Sequence, residues 1–397
     1  MRSTLTGTSI GLGACAALLG GHLLTAVPAS ADTTELAYDQ WGLDSIGATE
    51  AWSTGRGAGV TVAVLDTGVD TEHPDLAGVT VGPDLTGQDL APGSAGYGEH
   101  GTAMAGIIAA NGHGIEHTGG VLGAAPQAAI LSIRVAQDGG ATGQAPDPEA
   151  LAKGIRTAVS EGAQVISIPL ADSNTTTGGN DAEQSAIDYA LTSGVVVIAS
   201  GGDGGADESG GPTYPAAYEG VLAVGSVGQD GQPSAVSTGQ DHVVLTAPGE
   251  EIVTTGTDGA YPTVTGSGAA AAFTSGVAAL IRSAHPQLRP EQVVEALTQD
   301  ASGTLNAPGA LAAAELIAAE TPAFDPELAQ EADEQPLVPV WALWTGGAVL
   351  LGVLVVVWIL VLRKRMSNPY GLPPREPLPE PERRPRPPRG GRRRISR

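Results

Sequence analysis

Between Gly59 and Ala319, short apolar runs rich in β-branched residues alternate with longer segments whose apolar positions recur at helical spacing. Gly59 to Leu65, Ala129 to Val135, Gln164 to Leu170 and Val195 to Ala199 are of the first kind. Such runs predict strands buried on both faces. The second kind begins at Asp147-Pro148, an N-cap followed by a first-turn proline, with Leu151, Ile155, Ala158 and Val159 on one face. Further helices are predicted over Asp181 to Ser193, from Pro290-Glu291 through Leu297, and over Asn306 to Ala319. Strands and helices in this order predict an α/β fold, a parallel sheet flanked by helices. Thr80 to Gly98, polar and punctuated by glycine and proline, reads as loop.

One helix differs from the rest. From Gly266 to Arg282 the chain consists almost entirely of alanine, glycine and small polar residues, closed by Val277, Leu280 and Ile281. Such a segment can be buried on nearly all sides and packed close to its neighbours, which places it at the centre of the fold.

The two ends have other patterns. Residues 1–31 combine Arg2, a small apolar middle and Ala29-Ser30-Ala31 before Asp32, the three-part pattern of a secretory signal peptide. Leu12-Gly13-Ala14-Cys15 has some likeness to a lipoprotein cleavage box, but too little apolar chain precedes Cys15 for a signal core. Residues 338–362 carry Thr345 as their one polar side chain, with Trp341, Trp344 and Trp358 near the edges. A run of that length predicts a C-terminal transmembrane helix. Arg363-Lys364-Arg365 follows at once, so the positive-inside rule puts residues 363–397 in the cytoplasm and the bulk of the chain outside. That tail is rich in proline and arginine and reads as disordered, and 321–337 is an acidic, proline-containing linker. An acidic N-terminal extension, 32–54, precedes the main domain over 55–320.

Charge is divided along the chain. Twelve of the 19 lysines and arginines lie from Arg363 onward, whereas of the 43 carboxylate residues only Glu376, Glu380 and Glu382 do. The exported part is therefore strongly acidic, which argues against nucleic acid, anionic lipid and acidic substrates as its partners. The basic tail and the transmembrane helix are the parts suited to membrane lipids. Cys15 is the sole cysteine, so cleavage after Ala31 leaves neither a disulfide nor a thiol nucleophile. No cofactor and no metal site is expected, since Asp/Gly-rich loops such as Asp203 to Gly211 occur without metal far more often than with it.

The candidate chemistry lies at the ends of the predicted strands and helices. The strand ending at Leu65 leads into Asp66-Thr67-Gly68-Val69-Asp70, then His73-Pro74-Asp75-Leu76. An aspartate at the carboxyl end of a core strand stands where open α/β sheets place their active sites. His100-Gly101-Thr102-Ala103-Met104 opens a helix, Val195 to Ser200 runs into Gly201-Gly202-Asp203, and Phe273 and Ser275-Gly276 lie in the small-residue helix. Together with Gln40-Trp41-Gly42-Leu43, Tyr214-Pro215-Ala216-Ala217-Tyr218 and Ala247-Pro248-Gly249, these motifs resemble the subtilisin-like serine proteases. Within them they resemble the mycosins, membrane-anchored subtilases of type VII secretion. The resemblance runs from about Gln40 to Ala319.

That resemblance implies a subtilisin-like fold, an extended peptide in a surface cleft, and association with the type VII secretion membrane complex. It also implies an aspartate and histidine pair at Asp66 and His100. It puts Ser267 where the family has threonine, Gly268 where it has the nucleophilic serine, and Asp203 where an asparagine donates to the oxyanion. Met104 stands at a usual valine, Ala272 at a usual proline, and Pro169 in or at the end of a core strand. A protease of this kind needs a nucleophilic oxygen, a base, a carboxylate and oxyanion donors; with the first and last altered, the expectation is a pseudoprotease. The alternative is an active endopeptidase in which Ser267 attacks, which requires its Oγ within about 2.6 to 3.2 Å of a His100 ring nitrogen.

Overall fold

The computed structural model describes residues 40–366, except 118, 140–145, 171–178, 206–211, 238, 300–301 and 322–339; over 340–350 it describes the backbone alone. The signal peptide, most of the N-terminal extension, the linker and the tail predicted above lie outside the described residues. The chain divides into two units between Asp333 and Glu334.

The first unit begins with two short helices, α1 (Trp41–Ser45) and α2 (Ala48–Ala51), and then alternates strands and helices. The strands are β1 (Thr61–Asp66), β2 (Val79–Asp84), β3 (Asn111–His113), β4 (Gly119–Leu122), β5 (Ala129–Arg134), β6 (Val165–Ile168), β7 (Val196–Ser200), β8 (Leu222–Val227), β9 (Val243–Pro248), β10 (Ile252–Val253) and β11 (Thr263–Val264). The helices are α3 (Glu99–Ala109), α4 (Pro148–Ser160), α5 (Asp181–Thr192), α6 (Ser267–Ala284), α7 (Pro290–Leu297) and α8 (Ala307–Glu320). Seven strands form one sheet in the order β2-β5-β1-β6-β7-β8-β9, every neighbour parallel. The predicted α/β parallel sheet is thus present.

Strand periodicity sorts the core into two layers. Val62 and Val64 of β1, Val165, and Val196 and Ile198 of β7 join one cluster with α3, α6, α7 and α8. Ala63, Leu65, Ile166, Ile168, Val197 and Ala199 join the other with α4 and α5. The small-residue helix α6 is buried from Ser267 through Arg282 and packs across β6, β7, β8 and β9. It is the central helix that its composition predicts.

Two expectations change. Val79–Asp84 is an edge strand rather than loop; its alternation is faint because it is half-exposed, and Pro83 is tolerated there because an edge strand has one unpaired side. Gln164 to Leu170 shortens to Val165–Ile168, so Pro169 follows the strand end instead of interrupting it.

In the second unit, α9 runs from Val340 to Met366, 27 residues. No helix among the fully described residues is long and apolar enough to cross a membrane. Side chains of α9 are described only from Leu351 onward, and from Leu351 to Leu362 they are exposed and apolar.

Candidate active site

Asp66 is the last residue of β1 and His100 the second of α3. Sheet and helix bring them together at the carboxyl ends of the strands, where this class of fold builds its sites. His100 Nδ1 lies 2.9 Å from Asp66 Oδ2 and 3.0 Å from Oδ1. Both residues are buried, at 5% and 0% exposure. Thr67 N donates to Asp66 Oδ1 at 2.6 Å, and the Asp66 backbone oxygen accepts from Val135 and Ala136. Thr67 Oγ1 accepts from Gly101 N, which ties the strand end to the helix start. Gly101 has no substitute at this crossing: an ideal Cβ would lie 2.1 Å from Gly68 O.

Two residues that sequence reasoning passed over complete this half. Asp138, in the loop after β5, accepts from Glu99 N at 3.1 Å and stands at the N-terminus of α3, where a carboxylate is favoured by the orphan N–H groups. Arg134, fully buried at the end of β5, donates to Thr67 O at 2.8 Å, to Asp84 Oδ2 at 2.8 Å and to Thr86 Oγ1 at 2.7 Å. No local pattern marks either one. The only available signal was the position of Arg134 at the end of a strand paired with the one that carries Asp66.

On the other side of the cleft, β7 ends at Ser200 and the chain turns through Gly201-Gly202-Asp203 toward the start of α6. Ser267 Oγ lies 2.6 Å from Ser200 Oγ and accepts from Gly202 N at 3.0 Å. Ser267 N donates to Asp203 Oδ1 at 2.7 Å. Asp203 therefore occupies the N-terminus of α6 as a hydrogen-bond acceptor. Among the described residues no hydrogen bond joins Ser267 to His100, so the contact required of a Ser267 nucleophile is absent. Gly268 instead faces the histidine: an ideal Cβ there would lie 3.5 Å from His100 Nε2, 3.5 Å from Met104 Sδ and 2.7 Å from Pro169 O. Ala272 is buried within α6.

The charges follow from this packing. Burial works against a charged His100, but the Asp66 carboxylate, with Asp138 and Asp203 behind it, outweighs burial and raises its pKa. Asp203 is exposed as a residue, yet the walls of the cleft desolvate its carboxyl and push its pKa up, against the Ser267 N–H and the His100 charge. Among the described residues no group of three or more His, Cys, Asp and Glu side chains is placed to hold a metal ion.

Known proteins are similar to this chain in sequence and fold. The model of the subtilase family, peptidase S8, matches residues 57–327. Thermitase of Thermoactinomyces vulgaris is 38% identical over 245 residues, 62% of this chain and 82% of thermitase. Among solved structures, MycP1 from Mycobacterium smegmatis is 31% identical with a TM-score of 0.57, covering 68% of this chain and 84% of MycP1. The MycP3 protease from the type VII (ESX-3) secretion system is 29% identical with a TM-score of 0.58, covering 68% of this chain and 87% of MycP3. With the matched region reaching from before β1 to beyond α8, the chain belongs to the subtilase family.

Proposed function

We propose that this chain is a catalytically impaired, mycosin-type subtilase homologue, held at the cell membrane with its cleft outside the cytoplasm. In this reading it serves a type VII secretion system as a structural or peptide-binding component. The observation that carries the impairment is the place of Gly268, whose missing Cβ would have faced His100 Nε2 at 3.5 Å while Ser267 Oγ is bonded to Ser200 and Gly202. Asp66 and His100 supply a carboxylate and a base, but the base has no side-chain oxygen from which to take a proton.

For subtilisin, itself a member of the family, loss of the serine lowers turnover by about 10⁶, the remnant coming from the oxyanion hole and binding. Here the remnant is opposed as well. At the family's oxyanion asparagine, Asp203 accepts a hydrogen bond and brings negative charge toward a developing oxyanion. Loss of the asparagine alone costs subtilisin on the order of 10² to 10³.

Membrane anchoring is supported by the exposed apolar side chains of α9 from Leu351 to Leu362 and by Arg363-Lys364-Arg365 at its end. Secretion-system membership is supported by the likeness to MycP1 of the ESX-1 and MycP3 of the ESX-3 type VII secretion systems. Incubation of the purified full chain with a fluorophosphonate probe tests the impairment. No adduct is expected; an adduct that disappears in Ser267→Ala makes Ser267 a nucleophile and overturns it. Retention of the chain in membranes washed with alkaline carbonate tests the anchor, and its release into the wash sinks that part.

A further inference from the structure

Between His100 and the start of α6 lies a cavity of about 10 Å³, walled by His100, Met104, Asp203, Thr265, Gly266 and Gly268. That volume is the lower limit for a single water-sized occupant. Two polar groups face it. His100 is 5% exposed, its Nδ1 is taken by Asp66, and among the described residues no hydrogen bond reaches Nε2. Asp203 accepts from Ser267 N through Oδ1, and its Oδ2 stands 2.6 Å from where a Cβ on Gly266 would lie.

Both groups accept. A neutral imidazole that donates Nδ1–H to Asp66 has an acceptor lone pair at Nε2, and a carboxylate has no proton to give. A carbonyl oxygen, the group a subtilase cleft ordinarily polarises, would meet acceptors here. What fits two acceptors in a water-sized space is a compact donor. An ammonium has three N–H donors on one small head, whereas a guanidinium is a broad plane. No lysine or arginine lines the cavity.

We propose that the space beside Gly268 binds the ammonium head of a primary amine, held between Asp203 and His100 and presented by a peptide lying in the cleft. The site thus selects for a cation where an active subtilase selects for a developing anion. This rests on the peptide-binding reading above. The amine has two possible sources, a lysine side chain and a free peptide N-terminus, and both present the same head.

The test is fluorescence anisotropy with the full chain in detergent at about pH 7, 8 and 9, because the carboxylates around His100 raise its pKa and the neutral imidazole the site requires is favoured as pH rises, while lysine stays charged throughout. Four alanine pentapeptides carry a dye at the C-terminus. One is N-acetylated with a central lysine, one N-acetylated with central norleucine, one N-acetylated with central acetyl-lysine, and one has a free N-terminus. A charge-assisted hydrogen bond predicts that an amine peptide binds at least about tenfold more tightly than the norleucine peptide. Tight binding of the lysine peptide or of the free-N-terminus peptide identifies the source. Asp203→Asn keeps a side-chain oxygen that can accept from Ser267 N and is expected to remove the preference while the circular dichroism spectrum is unchanged and Tm moves by no more than about two degrees; Glu99→Gln, outside the cavity, is expected to change affinity less than about threefold. Equal binding of all four peptides overturns the amine site and leaves the peptide cleft standing, as does a lysine preference that survives Asp203→Asn. Absence of binding by every peptide overturns both.

Discussion

The two halves of the cleft differ in how deeply their chemistry is embedded in the fold. Asp66 and His100 sit where strand and helix lock together. Thr67 binds Gly101 N and Arg134, Asp66 carries backbone bonds from Val135 and Ala136, and Asp138 stands at the N-terminus of the histidine's helix. The other half is looser. Ser267 and Asp203 satisfy one another and the turn at Gly202, while Gly268 contributes a backbone and a space. The backbone that carries Asp66 and His100 is thus tied into the sheet and the helix start, whereas at Gly268 no side chain enters the cleft and none holds the fold. Intact geometry at Asp66 and His100 is therefore a poor guide to activity, because that geometry also serves the fold.

The comparison breaks first at Arg134. Arg134→Met would leave the Asp84 carboxylate without its buried partner and Thr67 O without a donor. Breaking a buried pair from one side costs about 3 to 5 kcal/mol, read as a drop in the urea midpoint with unchanged slope. A loss under about 1 kcal/mol would show that the acid–base half is not held as described. Next comes Gly268→Ser. Its Cβ would lie 2.7 Å from Pro169 O, a backbone atom whose movement the proline ring restricts. The overpacking is expected to cost about 1 to 3 kcal/mol and to leave the chain unlabelled by a fluorophosphonate. Labelling is expected when Pro169→Ser and Asp203→Asn are added. Strong labelling of Gly268→Ser alone would mean that a serine at this position is enough for attack, with Pro169 and Asp203 in place. Smaller again is Asp203→Ala, which removes the acceptor of Ser267 N and is expected to cost about 0.5 to 2 kcal/mol in Tm-derived stability, against a few tenths for Asp203→Asn.

The same division explains what could be read from the sequence. β1, β5, β6 and β7 were legible because a strand covered on both faces must be apolar throughout, and α6 because only small residues allow a helix to be packed on nearly every side. Asp66 and His100 were legible because each follows a recognisable element boundary. β2 was not, since an edge strand with Val81 exposed and with Gly82 so close to β5 that a Cβ would lie 2.8 Å from Ser132 O has neither alternation nor a run. Arg134, Asp138 and the Ser200–Ser267 contact were invisible for a different reason. They join residues 38 to 67 positions apart, and nothing in a local pattern encodes such a pairing. The sequence could place Ser267 next to Gly268, but not decide which of them faces the histidine; the seat of Ser267 against Ser200 and Gly202 decides it.

The smallest expected effect concerns pH, and it probes the better-held half by its sign. The His100 pKa stands above the ordinary 6.5 because the Asp66 carboxylate, with Asp138 and Asp203, overcomes burial, the largest single influence and one that acts to lower it. A raised folded-state value means that the native protein binds the proton more tightly than the unfolded chain does. The stabilisation is therefore complete below 6.5 and is lost as pH rises through the folded value. Asp66→Asn removes the main opposing charge and leaves burial dominant, so the folded value falls below 6.5 and the His100 contribution reverses, stability now decreasing as pH falls. His73 and His242, both lowered by burial, add a slope of that second sign in every variant, so each profile is compared with His100→Gln. Urea midpoints across the neutral range give the readout. The wild type minus His100→Gln difference should shrink as pH rises, and the difference between Asp66→Asn and Asp66→Asn with His100→Gln should grow. Parallel profiles in both comparisons would mean that His100 is not coupled to Asp66, despite their 2.9 Å contact.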